Sequence, residues 1–503
     1  MHMEINNSKR DIIGMILFAL SIITLGYMFL TPLNHVIIHI DEYFSMSLTT
    51  LPIWDIVNIT SWDVHPPLYY ILGKVAVKIA QAIGMDYLLS LRILSIIPYI
   101  IILAISAIKI RKDYGWLTAG LFTISLGVMS EFFTHFLIAR MYGWAILFTL
   151  IAFLAFVEII KNKDIKAWIV LAVFSALCAY THYFAAITAA CIYIILLAYI
   201  LKFEKDEIKM WAMSAAGAVI IYIPWIPSLI RQLTAVHGSY WIPQVDLNMF
   251  VNALGYYAYT SDVLISAVSV IILAAILFIY FKQNSDLGEK EHFLILSGVG
   301  VYFATILLSI IISVVFKPIL MVRYLLPATA VMWLAISIII AKIKDKKMFA
   351  IAMALIALLL VTGFSTTITA NDTIYQNGLS QKEVLDNISQ DPNSMLIITH
   401  QNMIMYFLDY ANESDTYFLN VGHVFGENMD RLHQFYNFKT YNGTQIDSLI
   451  ANNTGKNIYI ISWGKPVLNS TVSELDQEIG IVFSKVTAPA NTTAADSSEE
   501  EYY

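Results

Sequence analysis

A chain of 503 residues that is 58% hydrophobic and only 13% charged is not a soluble globular protein. Repeated apolar runs of about 18 residues or more make it a polytopic membrane protein. The formal net charge of −7 comes mostly from the C-terminal part and offers no basic face for a nucleic acid. Cys178 and Cys191 both sit inside apolar runs, so no disulfide framework is expected, and no zinc-type spacing of cysteine or histidine occurs.

Lys9 and Arg10 precede an apolar run from Ile12 to Leu30, long enough for a spanning helix and followed by no small-residue cleavage site. The expectation is an uncleaved first helix with a cytoplasmic N-terminus, which puts the first loop, residues 31–87, outside. That loop holds the adjacent acids Asp41 and Glu42 and a second polar cluster, Asp63 and His65, followed by Pro66-Pro67. Trp54 and Trp62 between them suit a membrane interface. Acidic residues at the lip of a bundle are costly unless used, which makes these four candidates for function.

Residues 68–83 look apolar, yet Lys74, Lys78 and Gln81 fall on one helical stripe. A helix of that length spans roughly 24 Å, short of the ~30 Å hydrocarbon core. Two lysines at mid-bilayer would cost about 2.5–3.5 kcal/mol each. An interfacial, juxtamembrane helix avoids both penalties.

The remaining spans are then expected near 88–108, 116–135, 142–160, 166–181, 183–201, 208–230, 263–282, 291–315, 322–341 and 347–365, about eleven in all with the first. This choice gathers most basic residues into alternate loops, at Lys109/Arg111/Lys112, Lys161/Lys163/Lys166, Lys202/Lys205/Lys209, Lys282/Lys290 and Lys342/Lys344/Lys346/Lys347. The opposite loops and helix ends hold only Lys74, Lys78, Arg92, Arg140, Arg231, Lys317 and Arg323. Treating 68–83 as a span would invert every later loop and destroy this bias.

After residues 1–365 the composition changes. A capping-box pattern, Ser380 to Glu383, is expected to open a helix, and β-rich runs follow at 395–399, 417–421, 457–463 and 479–484. The expectation is a small extracytoplasmic α/β domain over 366–486, then a disordered acidic tail over 487–503. Sequons at Asn371, Asn387, Asn412, Asn442, Asn452, Asn469 and Asn491 agree with an outside location, although Asn6 also heads one on the expected inside.

This topology puts Asp41, Glu42, Asp63, His65, Arg140, Tyr142, His182, Tyr240, Trp241, Arg323 and Tyr324 at one membrane face. Guanidinium and imidazole groups there suit a phosphate at headgroup depth, and a carboxylate beside them could accept a proton from a hydroxyl. Each has a plainer reading: Arg140 and Arg323 as snorkelling anchors, His182 as a bond to a loop carbonyl, Tyr240 and Trp241 as interfacial aromatics. Pattern alone reaches a membrane protein with a polar site on its outer face.

Asp41-Glu42 after the first helix, then HPPLYY at 65–70, resembles the GT-C superfamily of polyprenyl-phosphate-sugar glycosyltransferases. ARMYGW at 139–144, YTHYF at 180–184, YIPWIPSLIRQ at 222–232, SYWIP at 239–243 and RYLLP at 323–327 extend the likeness over about residues 10–345. Protein O-mannosyltransferases and the lipid A aminoarabinose transferase are the nearest in pattern. The resemblance implies inverting transfer of a sugar from a polyprenyl- or dolichyl-phosphate donor to a hydroxyl of a protein, glycan or lipid acceptor. Asp41 would be the base, with Glu42 supporting it, and the other residues of the set would bind substrate. His65 stands where some relatives carry a phosphate-contacting lysine, so it is assigned to the donor phosphate together with Arg140 and Arg323. Some relatives hold a divalent cation near the first-loop acids, but here Asp63 is offset relative to Pro66-Pro67. The WWD motif of the oligosaccharyltransferase branch is absent from the sequence. The rival reading is a secondary transporter or lipid flippase, which would favour mid-membrane ionisable residues and related halves; neither is visible.

Overall fold

The structure, a computed structural model, describes residues 7–30, 40–129, 135–235, 242–258, 262–399, 415–420, 423–424, 427–428, 438–463 and 481–486. The first membrane helix is α1 (Asn7–Leu30), and three shorter helices follow, α2 (Ile40–Thr50), α3 (Ile53–Thr60) and α4 (Leu68–Ile83). The bundle continues through α5 (Tyr87–Ile105), α6 (Arg111–Val128), α7 (Tyr142–Asn162), α8 (Ile165–Thr181), α9 (Tyr183–Phe203), α10 (Ile208–Tyr222) and α11 (Ile226–Ala235). It closes with α12 (Leu247–Gly255), α13 (Val263–Gln283), α14 (Glu289–Val315), α15 (Leu326–Ala341) and α16 (Lys346–Gln390).

Nine helical segments among the described residues are long and apolar enough to cross a bilayer, which makes this an integral multi-pass membrane protein. One of them, Tyr87–Val128, is 42 residues long and breaks at Gly115, whose φ of 87° is a conformation that favours glycine. The break lets α6 turn back along α5, so that the Tyr99 hydroxyl reaches the carbonyl of Thr123 at 3.2 Å. Against about eleven expected spans, the described residues hold these nine segments and the shorter apolar helix α8.

Helix α1 leans on α6 where both carry glycine. A Cβ at Gly14 would come within 2.2 Å of the Trp116 backbone, and one at Gly120 within 2.1 Å of the Gly14 carbonyl. The Ser21 hydroxyl donates to Thr123 Oγ1 at 2.9 Å across the same seam. Helix α4 is 16 residues long. Its exposed face mixes Val75, Lys78, Ile79 and Ile83, and Lys74 donates to the Thr50 carbonyl at 2.6 Å instead of facing lipid.

The basic loops converge at one end of the bundle. There Lys109 pairs with Glu158 and Asp113, Lys163 and Lys290 share Glu204, Lys202 meets Glu289, and Lys342 meets Glu291. Arg10 donates to the Ala341 carbonyl at the same end. The polar residues singled out in the first loop lie at the other.

Helix α16 runs unbroken for 45 residues, about 68 Å at 1.5 Å per residue, from the apolar segment into the C-terminal unit. Ser380 and Glu383 therefore lie inside a helix and do not begin one: α16 simply continues where a new start was expected. The unit's sheet comprises β1 (Ser394–Ile398), β2 (Asp415–Leu419), β3 (Lys439–Tyr441), β4 (Asn457–Trp463) and β5 (Ile481–Lys485). Its order is β3-β2-β1-β4-β5, with β1 to β4 mutually parallel and β5 an antiparallel edge. A short helix, α17 (Ile446–Ala451), precedes β4.

Central β1 is buried on both faces, as a parallel strand requires. Met395 and Ile397 pack with Ile458, Ile460 and α17. Leu396 and Ile398, one residue out of phase, join Phe418, Phe438 and Ile461 against Phe44, Leu48, Ile56, Tyr69 and Tyr70. One face of the α/β unit thus rests on α2, α3 and α4. The expected acidic tail, 487–503, lies outside the described residues.

A candidate active site at the end of the bundle

Asp41 and Glu42 open α2, where successive side chains point about 100° apart. They consequently meet different surroundings. Glu42 is fully buried: Arg92 of α5 donates from Nε to Oε1 at 2.8 Å and from Nη2 to Oε2 at 2.7 Å, and the Ala139 backbone N–H donates to Oε1 at 2.8 Å. Asp41 keeps a quarter of its side chain exposed and has Oδ2 3.8 Å from Nε of Arg140.

Arg140 lies in the segment between α6 and α7 and is almost wholly buried. Nη1 donates to the Tyr70 hydroxyl at 3.0 Å, and Nη2 contacts His65 Nε2 at 3.0 Å. A guanidinium has no acceptor, so His65 Nε2 must accept, and its proton must sit on Nδ1. Nδ1 then donates to Asp63 Oδ2 at 2.7 Å. The chain Asp63–His65–Arg140–Asp41 thus alternates acceptors and donors with a neutral imidazole inside it. Burial alone would raise the Asp63 carboxyl, but the contact with His65 and the Val64 backbone hold it below its ordinary value. Pro67, preceding α4, places Tyr70 one turn into the helix, under the guanidinium.

His182 separates α8 from α9 and caps the latter, accepting from the Phe184 N–H through Nδ1 at 3.1 Å. Burial, then the nearby guanidiniums of Arg140 and Arg323, push it well below the ordinary histidine value, so it is neutral. Its ring centroid lies 5.5 Å from Tyr142 and 5.1 Å from Tyr324. His135 meets Tyr142 edge-on at 4.5 Å. Arg323, on the turn before α15, lies 5.6 Å from the Tyr324 ring centroid, with its Nε buried and without a hydrogen-bond partner among the described residues. Asp41 acts electrostatically on both Arg323 and Arg140.

Helix α11 fastens the loop that carries Asp63 and His65. Gln232 Nε2 donates to the Thr60 carbonyl at 2.8 Å and Arg231 Nη1 to the Ser61 hydroxyl at 3.1 Å. Arg231 also lies 4.3 Å from the Trp62 ring centroid. The Tyr183 hydroxyl donates to Gln232 Oε1 and accepts from Trp225 Nε1 at 3.1 Å.

Of the expected set, the structure gathers Asp41, Asp63, His65, Arg140, Tyr142, His182, Arg323 and Tyr324 at one end. Glu42 is adjacent in sequence but faces away from the cluster, into its pair with Arg92. Tyr240 and Trp241 lie outside the described residues. Sequence reasoning missed Tyr70, Arg92 and His135. Arg92 did leave a signal, since an arginine within an apolar helix demands a partner.

Among the described residues, the acids of the site do not form a shared donor set for a divalent cation. Glu42 is consumed by Arg92 and Ala139, and Asp63 by His65, so the acids do not converge. No cluster of three or more histidine, cysteine or acidic side chains is gathered for a metal among the described residues.

No family model matches the sequence, and no curated protein matches it. Among solved structures, ArnT from Cupriavidus metallidurans in the apo state aligns with a TM-score of 0.59 at 10% identity, covering 94% of this chain and 97% of that one. ArnT bound to undecaprenyl phosphate gives 0.56 at 10% identity, covering 94% and 98%. At such identity the likeness is one of fold. The shared fold is a multi-span helical body carrying a C-terminal α/β unit.

Proposed function

We propose that the protein is a glycosyltransferase that moves a sugar from a polyprenyl-phosphate-sugar to a hydroxyl acceptor, with inversion, on the extracytoplasmic side. The observation that carries this reading is Asp41, partly exposed and within electrostatic reach of Arg140 and Arg323, in a fold shared with a protein that binds undecaprenyl phosphate. Guanidiniums are suited to a phosphate oxyanion, and a carboxylate near them is suited to receive a proton.

The acceptor oxygen attacks the anomeric carbon as the bond from that carbon to the phosphate oxygen breaks. Asp41 takes the hydroxyl proton, and the lipid phosphate leaves with both bonding electrons. A single displacement needs one base and no carboxylate nucleophile, in keeping with a Glu42 whose two oxygens are already engaged. Arg140 and Arg323 stabilise the departing phosphate, while the half-buried Tyr324 ring, backed by buried His182 and Tyr142, offers a face for a sugar ring.

Transport or lipid flipping is the weaker reading, because the interacting charges lie at the two ends of the bundle. To test the proposal, purified protein is incubated with a total membrane lipid extract and the lipids are followed by mass spectrometry. The expected result is loss of one polyprenyl-phosphate-sugar and appearance of polyprenyl phosphate. Translocation of lipid-linked sugar across vesicles, with no bond broken, would overturn it in favour of flipping.

A further inference from the structure

Among the described residues, two guanidiniums and two carboxylates act on one another around the site: Arg140 and Arg323 against Asp41 and Asp63. Their charges cancel before any ligand arrives. A phosphodiester brings one further negative charge into a largely buried setting, where uncompensated charge is expensive. Glu42 and Arg92 neutralise each other and cannot help.

One neutral group is placed to supply the missing positive charge. His65 bridges Asp63 and Arg140, with a carboxylate already 2.7 Å from Nδ1 to stabilise an imidazolium. Its Nε2 lone pair is occupied only by a guanidinium N–H that a phosphate would itself attract. Beyond its own two partners, Tyr70 from α4 and Asp41 from α2 contact the same Arg140, and His182 between α8 and α9 lies within electrostatic reach of His65; Arg231 of α11 approaches the same loop at Ser61 and Trp62. His182 is the poorer candidate, since its Nδ1 is taken by the Phe184 N–H.

We propose that His65 takes up a proton when a polyprenyl phosphodiester binds at Arg140 and Arg323, which makes donor capture proton-linked; this rests on the donor reading above. The proton on Nε2 ends the acceptance from Arg140 and releases Nη2, so both N–H groups turn to the phosphate.

The test uses the full-length protein and a short-chain polyprenyl methyl phosphodiester, whose single charge does not itself titrate near neutrality. Calorimetry between pH 8 and pH 6, in buffers of different ionisation heat, reads both affinity and proton uptake. Expected for the wild type is uptake of up to one proton and an affinity that rises by up to about tenfold per pH unit on acidification. His65→Gln should bind with no proton uptake and a flat pH profile. His65→Lys should also be flat, yet bind more tightly than His65→Gln at pH 8. A wild type with flat affinity and no buffer-dependent heat overturns the inference and leaves the donor reading standing, as does a His65→Gln variant that keeps the slope. A diester that binds at neither pH overturns the donor reading, and the inference with it.

Discussion

Glu42 and Arg92 form a two-point ion pair sealed from solvent, and the same Glu42 oxygen that accepts from Arg92 Nε accepts the N–H of Ala139. Glu42 directly follows Asp41 and Ala139 directly precedes Arg140, so one carboxylate fixes the distance between the candidate base and its neighbouring cation. Breaking a buried pair leaves a bare charge and costs about 3–5 kcal/mol, whereas replacing both partners is often close to neutral. Glu42→Gln and Arg92→Met should each lower the unfolding temperature, and the double variant should recover part of the loss. A Glu42→Gln protein of unchanged thermal stability that no longer turns over would instead make Glu42 a participant in the chemistry.

Beside the ring of Tyr324, Arg323 carries a buried Nε that has no hydrogen-bond partner among the described residues. Hydrogen bonds to charged groups contribute about 1.5–3 kcal/mol, so Arg323→Ala should weaken binding of a polyprenyl phosphodiester by roughly 10- to 150-fold. Lysine should restore only part of the affinity, because it lacks the planar fork. Equal affinity of the Ala variant and the wild type would leave snorkelling as the better account.

The exposed face of α4 carries Val75, Lys78, Ile79 and Ile83, a mixture suited to the headgroup boundary. A spin label at Ile79, which is 58% exposed, should be quenched by shallow reagents and poorly by those of the bilayer centre. A mid-bilayer depth would make α4 a spanning helix and reverse the order of everything after it.

The basic loops sit at the end of the bundle opposite Asp41, and the proposed orientation puts that end in the cytoplasm. Both native cysteines are buried, so background labelling in intact cells should be low. An impermeant maleimide should label a cysteine at Asn442 and spare one at Lys344. The opposite pattern would place the site on the wrong side for an extracytoplasmic donor.

The spans and the charged site were legible for one reason: in a chain this apolar, each ionisable residue is conspicuous. Asp63, His65 and Arg140 could be linked from three points in sequence because a membrane leaves such groups few places to go. The division of labour between Asp41 and Glu42 was not legible, because it depends on helix phase and on Arg92, fifty residues away. The unbroken α16 was also hidden, since its second half is polar and reads as a fresh domain with its own capping box. Strand β3, only three residues long, gives too short an alternation to detect. The docking of β1 on α2 to α4 is a tertiary fact that neither segment announces alone.

Asp41 is the sharpest point of the proposal. It is the partly exposed member of the acid pair, and its Oδ2 stands 3.8 Å from Nε of a guanidinium that favours the ionised form a base requires. Asp41→Asn keeps the shape and an acceptor oxygen toward Arg140 while abolishing proton acceptance. Turnover should therefore fall by about 10²–10⁴-fold, the usual contribution of a general base. Affinity for the phosphodiester should hold or rise slightly, because a negative charge near the phosphate is removed. Single-turnover sugar transfer and calorimetry on the same preparation separate the two effects. Transfer at the wild-type rate would remove Asp41 from the chemistry, whereas loss of binding alongside loss of rate would reduce it to a support for Arg140.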